Sequence, residues 1–234
     1  MNILAIDTST KNLSLAVTKN GKVVKFRNVK LKRPLSSSIM PSIEKILDSS
    51  GITLSKLDGF AIGLGPGSFT GLRVGLSTIK GLAFATEKPV VGISSLDVLA
   101  MNIKEDHGQI CTLCDAKRNL AYACLYEKKG LTLKRKSDYA LESIEQILKK
   151  IKGEVIFIGD GVKLFRDHIQ KVKGINPIFI DGESFLPRAR YLALLALEKF
   201  QKGQQDDIAQ LVPLYLYPEH CQVRNGNGKN HVKK

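Results

Sequence analysis

Residues 3–29 read ILAIDTSTKNLSLAVTKNGKVVKFRNV, and no other part of the chain indicates the architecture as clearly. The stretch holds three β-like runs of apolar or alternating residues. These runs cover residues 3–8, 13–18 and 23–29. Between the last two, Asn20-Gly21 suits a two-residue hairpin loop, because both residue types adopt positive φ readily. The chain is therefore predicted to open as an antiparallel meander of three strands.

Helical periodicity replaces this alternation at residue 38, and Gly51 supplies the end of the first helix. The later elements are predicted as a strand over 59–64, a helix over 70–86, strands over 90–93, 109–115 and 120–127, a helix over 141–151, strands over 155–158 and 178–180, and a helix over 187–200. A meander followed by αβα, repeated once in looser form, is the order expected of an α/β protein. The specific expectation is two ribonuclease H-like domains of the actin-like ATPase (ASKHA) fold group.

The same pattern predicts how the chain divides into domains. Residues 1–103 form the first domain, and the helix within 187–222 returns to complete it. Residues 104–186 form a second, smaller α/β domain. The basic tail over 223–234 is rich in Asn, Gly and Lys, so we expect it to be disordered.

The charge of the chain is strongly positive, with 36 Lys and Arg against 22 Asp and Glu and a formal net charge of +14. Such a balance is typical of chains that work near polyanions. No acidic residue lies between Asp7 and Glu44, whereas basic residues accumulate over 11–33. Either these lysines keep exposed strand edges soluble or they contact phosphates, and the sequence favours neither. The regular aromatic interleaving of sequence-specific RNA readers is lacking.

Hydropathy and cysteine usage indicate a cytoplasmic protein with no membrane partner. The longest uninterrupted apolar run, residues 191–197, is too short to span a bilayer, and no basic signal-peptide segment opens the chain. The four cysteines are too few and too scattered for a disulfide scaffold. Cys111 and Cys114 have the spacing of half a zinc site or a thiol redox pair. Because a second CxxC is missing and the neighbours have a strand pattern, a strand is the favoured interpretation.

Residues 63–75 read GLGPGSFTGLRVG and fit neither common phosphate loop. The Gly-Lys pair of Walker A is missing, and the third glycine of the Rossmann fingerprint is replaced. The following helix carries Gly71, Gly75 and Gly81, and an interior helix glycine costs about 1 kcal/mol relative to alanine. The three glycines therefore predict a close approach of another backbone. Helix packing is favoured over a phosphate ligand, because no lysine follows the loop.

Asp7, Thr8 and Ser9 lie at the end of the first predicted strand, where actin-like kinases hold a metal-bound phosphate. A carboxylate beside hydroxyl groups is a candidate site for ATP or Mg²⁺, although these residue types at a strand end are more commonly turn formers. No catalytic or metal-ligating residue is predicted. The four histidines are isolated in sequence, and no GxSxG motif occurs.

Five segments resemble the TsaB (YeaZ) family, and the resemblance spans residues 1 to 220. They are ILAIDTS (3–9), GPGSFTGLR (65–73), GISSL (92–96), DAKR (115–118) and PLYL (213–216). The resemblance implies an M22 glycopeptidase-like dimerisation subunit of the machinery that forms N6-threonylcarbamoyladenosine beside the anticodon of tRNAs reading ANN codons. The catalytic paralogue, TsaD, carries an HxxxH iron-binding pair on its first long helix. Residues 38–50 contain no histidine, so the chain is predicted to be a non-catalytic scaffold.

The resemblance also implies partners. They are a TsaD-like catalytic paralogue, a TsaE-like ATPase and tRNA held through the complex, while a homodimer of the isolated chain stays open. In the family, the first two helices form the pairing surface. The partner-binding residues predicted on them are Ile39, Ser42, Ile43, Ile46, Gly71, Leu72, Gly75, Leu76 and Ile79. Two alternatives remain, a small-molecule kinase or ATPase of the same fold and an M22-type peptidase.

Overall fold

The computed structural model describes residues 1–103, 108–130, 132–180 and 185–217. Within these ranges the chain forms two mixed β-sheets and six α-helices. None of the helices described is long and apolar enough to cross a membrane. The predicted tail over 223–234 and Cys221 lie outside the described residues.

The first sheet is built from the predicted meander and the two strands that follow it. Its elements in chain order are β1 (Ile3–Asp7), β2 (Asn12–Lys19), β3 (Lys22–Lys30), α1 (Leu35–Ser50), β4 (Gly59–Gly63), α2 (Phe69–Thr86), β5 (Val90–Ile93) and α3 (Ser95–Ala100). The strand order is β3-β2-β1-β4-β5. The meander strands pair antiparallel, whereas β1, β4 and β5 run parallel.

The second sheet repeats this plan. Its elements are β6 (Ile110–Asp115), β7 (Leu120–Lys129), β8 (Thr132–Arg135), β9 (Ala140–Ser143), α4 (Ile144–Leu148), β10 (Gly153–Ile158), α5 (Val162–Gln170), β11 (Ile175–Phe179) and α6 (Ala189–Gln201). The strand order is β11-β10-β6-β7-β8, and β9 also pairs with β7. Strands β8 and β9 therefore both pair with β7, in the way that β3 pairs with β2 in the first sheet.

Both sheets thus have one antiparallel meander joined to two parallel strands in the same spatial order. This arrangement confirms the prediction of an α/β protein with two ribonuclease H-like units of the actin-like ATPase fold group. The duplication is one of structure, because the two halves share the order of their elements and no readable sequence repeat.

The last helix of each half packs on the sheet of the other half. Leu96, Leu99 and Ala100 of α3 are buried against β6, β7 and β10 of the second sheet. In return, the apolar side of α6 packs on the first sheet and shares a core with Ile3 and Ala16. Helices α1 and α2 cover the opposite face of the first sheet, and α4 and α5 cover the second.

One predicted helix begins later than its periodicity suggested. The pattern predicts a helix over 141–151, but residues up to Ser143 extend β9, and α4 begins after them. Ser143 and Gln146 form a capping box in which each side chain bonds the backbone of the other residue. This motif marks a helix start, because it satisfies amide groups that lack partners inside the helix.

Candidate functional site

The first candidate site lies at the carboxyl edge of the first sheet, where the parallel strands β1, β4 and β5 end together. Asp7 ends β1 and is only 1% exposed. Its Oδ1 accepts hydrogen bonds from the backbone N and the Oγ of Ser9, at 2.9 and 2.6 Å. Its Oδ2 accepts a bond of 2.7 Å from Ser95 Oγ, which follows β5. Both carboxylate oxygens are therefore engaged within the chain.

The first turns of α2 close over this edge. Thr8 Oγ1 donates a hydrogen bond of 2.8 Å to the carbonyl of Gly71, and the amide of Ser68 donates one of 2.7 Å to the carbonyl of Ser9. A Cβ added to Gly71 would lie 2.3 Å from the carbonyl oxygen of Thr8, and one added to Gly75 would lie 2.2 Å from Thr8 Oγ1. The preference for helix packing at these glycines was wrong, because Gly71 and Gly75 both approach Thr8 in the chain's own β1–β2 loop.

The structure therefore brings Asp7, Thr8 and Ser9 together, but as a buried and internally bonded group. Binding of ATP or Mg²⁺ at these residues stays a prediction. A ligand would have to replace the bonds from Ser9 and Ser95 and displace the first turns of α2. Across the described ranges, no group of three or more His, Cys, Asp or Glu side chains is placed to hold a metal ion.

The equivalent edge of the second sheet carries two carboxylates, Asp115 and Asp160. The amide of Asp115 donates a hydrogen bond of 3.0 Å to the Asp160 carboxylate, whose pKa is raised by burial. Burial also acts to raise the pKa of Asp115, but hydrogen bonds from Lys117 outweigh it and leave that pKa lowered. The C-terminal segment crosses between the two edges, because the hydroxyl of Tyr217 donates a bond of 2.6 Å to the carbonyl of Ala116.

The cysteine pair does not form a redox or metal pair. Cys111 packs with the core on the α4–α5 face of the second sheet, whereas Cys114 packs on the α3 face. Both thiols are free, and burial raises the pKa of each. The strand interpretation is therefore the one that the structure supports, because residues three apart in a strand point to opposite faces.

The predicted partner-binding residues lie on α1 and α2, but most of their side chains face inward. All except the half-buried Ser42 are buried, and five of them pack in the core beneath the two helices: Ile39, Ile43, Ile46, Leu76 and Ile79. Leu72, Leu76 and Ile79 share one buried face of α2, and Leu76 and Ile79 pack in the core of the first sheet. Any partner contact on these helices would therefore be made by the neighbouring exposed positions.

The exposed side of α2 carries a stripe of four residues that the sequence analysis did not assign to the partner surface. Arg73, Ser77, Gly81 and Phe84 follow one another at spacings of four, four and three, so they share one face of the helix. Phe84 is 84% exposed. A Cβ added to Gly81 would meet no atom of the described residues within 4 Å. We call these four residues the α2 stripe.

Local sequence patterns could not identify two features of these surfaces. Ser95, the first residue of α3, lies 88 positions from Asp7 in the chain, and only the parallel order of β1, β4 and β5 brings the two residues together. Phe84 was not predicted as an interface residue, because the regular apolar positions of α2 were expected to form the interface. The sequence feature that could have identified Phe84 is its position, because this large aromatic residue lies outside the helix positions that pack on the sheet.

Comparison with known proteins places these features in a family. A family model described as "TsaD: tRNA N6-adenosine threonylcarbamoyltransferase" matches residues 30–223. The "tRNA threonylcarbamoyladenosine biosynthesis protein TsaB" of Escherichia coli (strain K12) is 30% identical over 222 residues, which cover 92% of this chain and 94% of that protein. The protein of the same name from Bacillus subtilis (strain 168) is 32% identical over 219 residues, with the same coverage.

The solved structures agree with the sequence relatives. "YeaZ from Pseudomonas aeruginosa" superposes with a TM-score of 0.80 at 27% identity, and the match covers 92% of this chain and 99% of that one. The sequence and structural matches both extend over nearly the whole chain, including both sheets. The chain belongs to the TsaB (YeaZ) family, within the wider group that the TsaD family model describes.

Proposed function

We propose that this chain is a non-catalytic scaffold subunit in the formation of N6-threonylcarbamoyladenosine in tRNA. It works in the cytoplasm by pairing with a TsaD-like catalytic paralogue, and a TsaE-like ATPase and tRNA join through the complex. The family supports the biosynthetic step, since its relatives are named for threonylcarbamoyladenosine biosynthesis. A supporting role fits the engaged carboxylate of Asp7 and the absence of histidine from α1.

The observation that carries the pairing is the α2 stripe. Gly81 lowers helix stability by about 1 kcal/mol relative to alanine, yet no neighbour in the described part of the chain needs the space. Phe84 leaves a large aromatic surface in water, and burial of such a side chain contributes roughly 1.5–3 kcal/mol. A partner helix that packs into the gap at Gly81 and covers Phe84 accounts for both residues.

The inward-facing residues of α1 and α2 have a different role in this proposal. Ile43 and Leu76 anchor the two helices on the first sheet and so hold the stripe rigid. A partner contacts the outer positions, which include the exposed Met40 on α1. The same outer face is the expected site of self-association if the isolated chain forms a homodimer.

Replacement of Gly81 by leucine tests the pairing. The leucine side chain fills the space reserved for the partner, and overpacking costs about 1–3 kcal/mol, which corresponds to roughly a 5- to 150-fold loss of affinity. The isolated variant should be at least as stable as the natural chain, because a helix-favouring residue replaces glycine at an open site. Affinity for the TsaD-like paralogue is measured by isothermal titration calorimetry, alongside urea unfolding of the chain alone.

The matched control is Asp167→Leu, which adds the same side chain at an exposed position on α5 in the other half. It should leave the affinity unchanged. If Gly81→Leu is stable and binds the paralogue as tightly as the natural chain, the proposed surface is wrong. The alternative of a small-molecule kinase or ATPase is separated by calorimetric titration of the chain with ATP and Mg²⁺, and the peptidase by a casein-cleavage assay.

A further inference from the structure

The opposite face of the first sheet from α1 and α2 carries a second surface, where α6 begins. The amide of Ala189, the first residue of α6, donates a hydrogen bond of 2.8 Å to Ser14 Oγ on β2. Ser14 Oγ donates in turn a bond of 2.6 Å to Asn28 Oδ1 on the edge strand β3. These two bonds fix the start of α6 against the outer strands of the sheet.

This docking places an arginine beside an exposed aromatic ring. The guanidinium carbon of Arg190 lies 5.3 Å from the ring centroid of Phe26, which is 50% exposed on β3. The same guanidinium lies 4.6 Å from the ring of Tyr191 and donates a bond of 2.8 Å to its hydroxyl. An exposed ring and a held guanidinium plane thus adjoin each other, and each offers a flat surface on which a base can stack.

Two further cations belong to this surface. Lys30 pairs with Asn12, and Phe26 pairs with Ala16, so the register puts Lys30 and Phe26 on the same face of β3. Arg188 immediately precedes α6 and occupies its N-cap position. We call Phe26, Lys30, Arg188 and Arg190 the β3–α6 platform.

The positive charge of the platform has no counter-charge among the described residues. None of its three basic side chains takes part in an ion pair there. The Nε atoms of Arg188 and Arg190 are buried without a hydrogen-bond partner. The first turn of α6 holds no acidic residue, so both arginines lie at the positive end of the helix dipole. An anion bound at the platform would therefore interact favourably with this charge.

The β3 edge extends the charge beyond the platform. Lys25 and Arg27 pair with Val17 and Leu15, and they therefore lie on the other face of the same edge strand. Both are exposed. Lysines on an edge strand can be explained by solubility alone. That explanation does not account for two arginines at a helix N-terminus or for an exposed phenylalanine beside one of them.

We propose that the β3–α6 platform binds a single-stranded segment of RNA. One base stacks on Phe26 and Arg190, and Arg188 and Lys30 contact the flanking phosphates. A single strand is preferred to a duplex, because only an unpaired base can stack on a side-chain ring. The choice of RNA among polyanions rests on the proposed function in tRNA modification. The surface itself is derived independently and lies on the face of the sheet opposite α1 and α2.

Binding is tested with the full chain and a short fluorescent single-stranded RNA of mixed sequence, by fluorescence anisotropy at several salt concentrations. Phe26→Ala should lower the affinity roughly 5- to 150-fold, the range for loss of one stacked base. Arg190→Glu should also lower the affinity, because it replaces the stacking guanidinium by a carboxylate that the phosphates repel. Glutamate suits the first turn of a helix, which offsets part of the loss of the Arg190 contacts with Tyr191, so this variant should remain folded, as thermal unfolding would show.

Lys163→Glu is the matched control, because it makes the same charge change at an exposed position on α5. It should bind RNA as the natural chain does. The proposal is overturned if the chain binds no RNA at low salt, if Phe26→Ala binds unchanged, or if duplex RNA competes as well as the single strand. Both platform variants should retain affinity for the TsaD-like paralogue. Loss of RNA binding with intact pairing supports the platform, whereas failure of pairing in the natural chain refutes only the proposed function.

Discussion

Two glycines of α2 provide a matched pair for testing how the helix is held. Gly75 and Gly81 lie on the same helix, and an identical change to alanine removes the same helix penalty of about 1 kcal/mol at each. At Gly81 the new Cβ meets nothing within 4 Å, so the variant should gain about 1 kcal/mol of stability. For a chain of this size, the expected rise in Tm is roughly 2–4 °C.

At Gly75 the same change should have the opposite sign. The new Cβ would lie 2.2 Å from Thr8 Oγ1, so the helix or the β1–β2 loop has to move. Overpacking of this kind costs about 1–3 kcal/mol. Loss of the Thr8 hydrogen bond to Gly71 would add about 0.5–1.5 kcal/mol. After the helix gain is subtracted, Gly75→Ala should lose about 0.5–3.5 kcal/mol.

Urea unfolding of the two variants measures this difference, with an unchanged m value as the check that the unfolded states are comparable. Thr8→Ala removes the oxygen and the methyl group nearest to the new Cβ. In that background, Gly75→Ala should cost less, by a coupling energy of about 0.5–3 kcal/mol. Equal stabilisation by Gly75→Ala and Gly81→Ala, or no coupling to Thr8, would refute the contact between α2 and the loop.

Two other predictions concern the proposed scaffold role and the buried carboxylate of Asp97. The purified chain alone should form no threonylcarbamoyladenosine, because the proposed chemistry belongs to the paralogue; formation of the modified base without any other protein would contradict the scaffold role. Burial raises the pKa of Asp97, despite hydrogen bonds from Tyr126 and Tyr139 that act to lower it, so the folded state binds this proton more readily than the unfolded state. The unfolding free energy of the natural chain should therefore rise relative to that of Asp97→Asn as the pH falls from neutral toward about 4. Urea unfolding at several pH values measures this difference. A difference that does not change with pH would argue against a raised pKa of Asp97.

The periodicity of the sequence was sufficient to predict the fold, because the meander and the buried strands have strong local patterns. The alternation over 3–29 corresponds to β1 to β3, and the predicted helix over 70–86 differs from α2 by one residue. Less regular elements were not predicted. Helix α5 is short, and β8 is mostly exposed, so neither has a long periodic pattern.

The site was less predictable, because its contacts join distant parts of the chain. The sequence singled out Asp7 and the glycines of α2 but could not show that they contact each other. It also could not decide which face of α2 meets the sheet, since Leu76 fits a core position and an interface position equally well. The same limit applies to Phe26 and Arg190, which are 164 positions apart in the chain and adjacent in the structure.

The exchange of α3 and α6 between the two sheets gives the chain the connectivity of a domain-swapped dimer within one polypeptide. Each half covers one face of its own sheet with two helices, but the helix on the other face comes from the other half. A fragment cut at the junction between the halves would therefore expose an uncovered apolar sheet face and a stray amphipathic helix. The two halves are expected to unfold as one cooperative unit. The surface of α2 that a partner would contact is therefore stabilised by both halves.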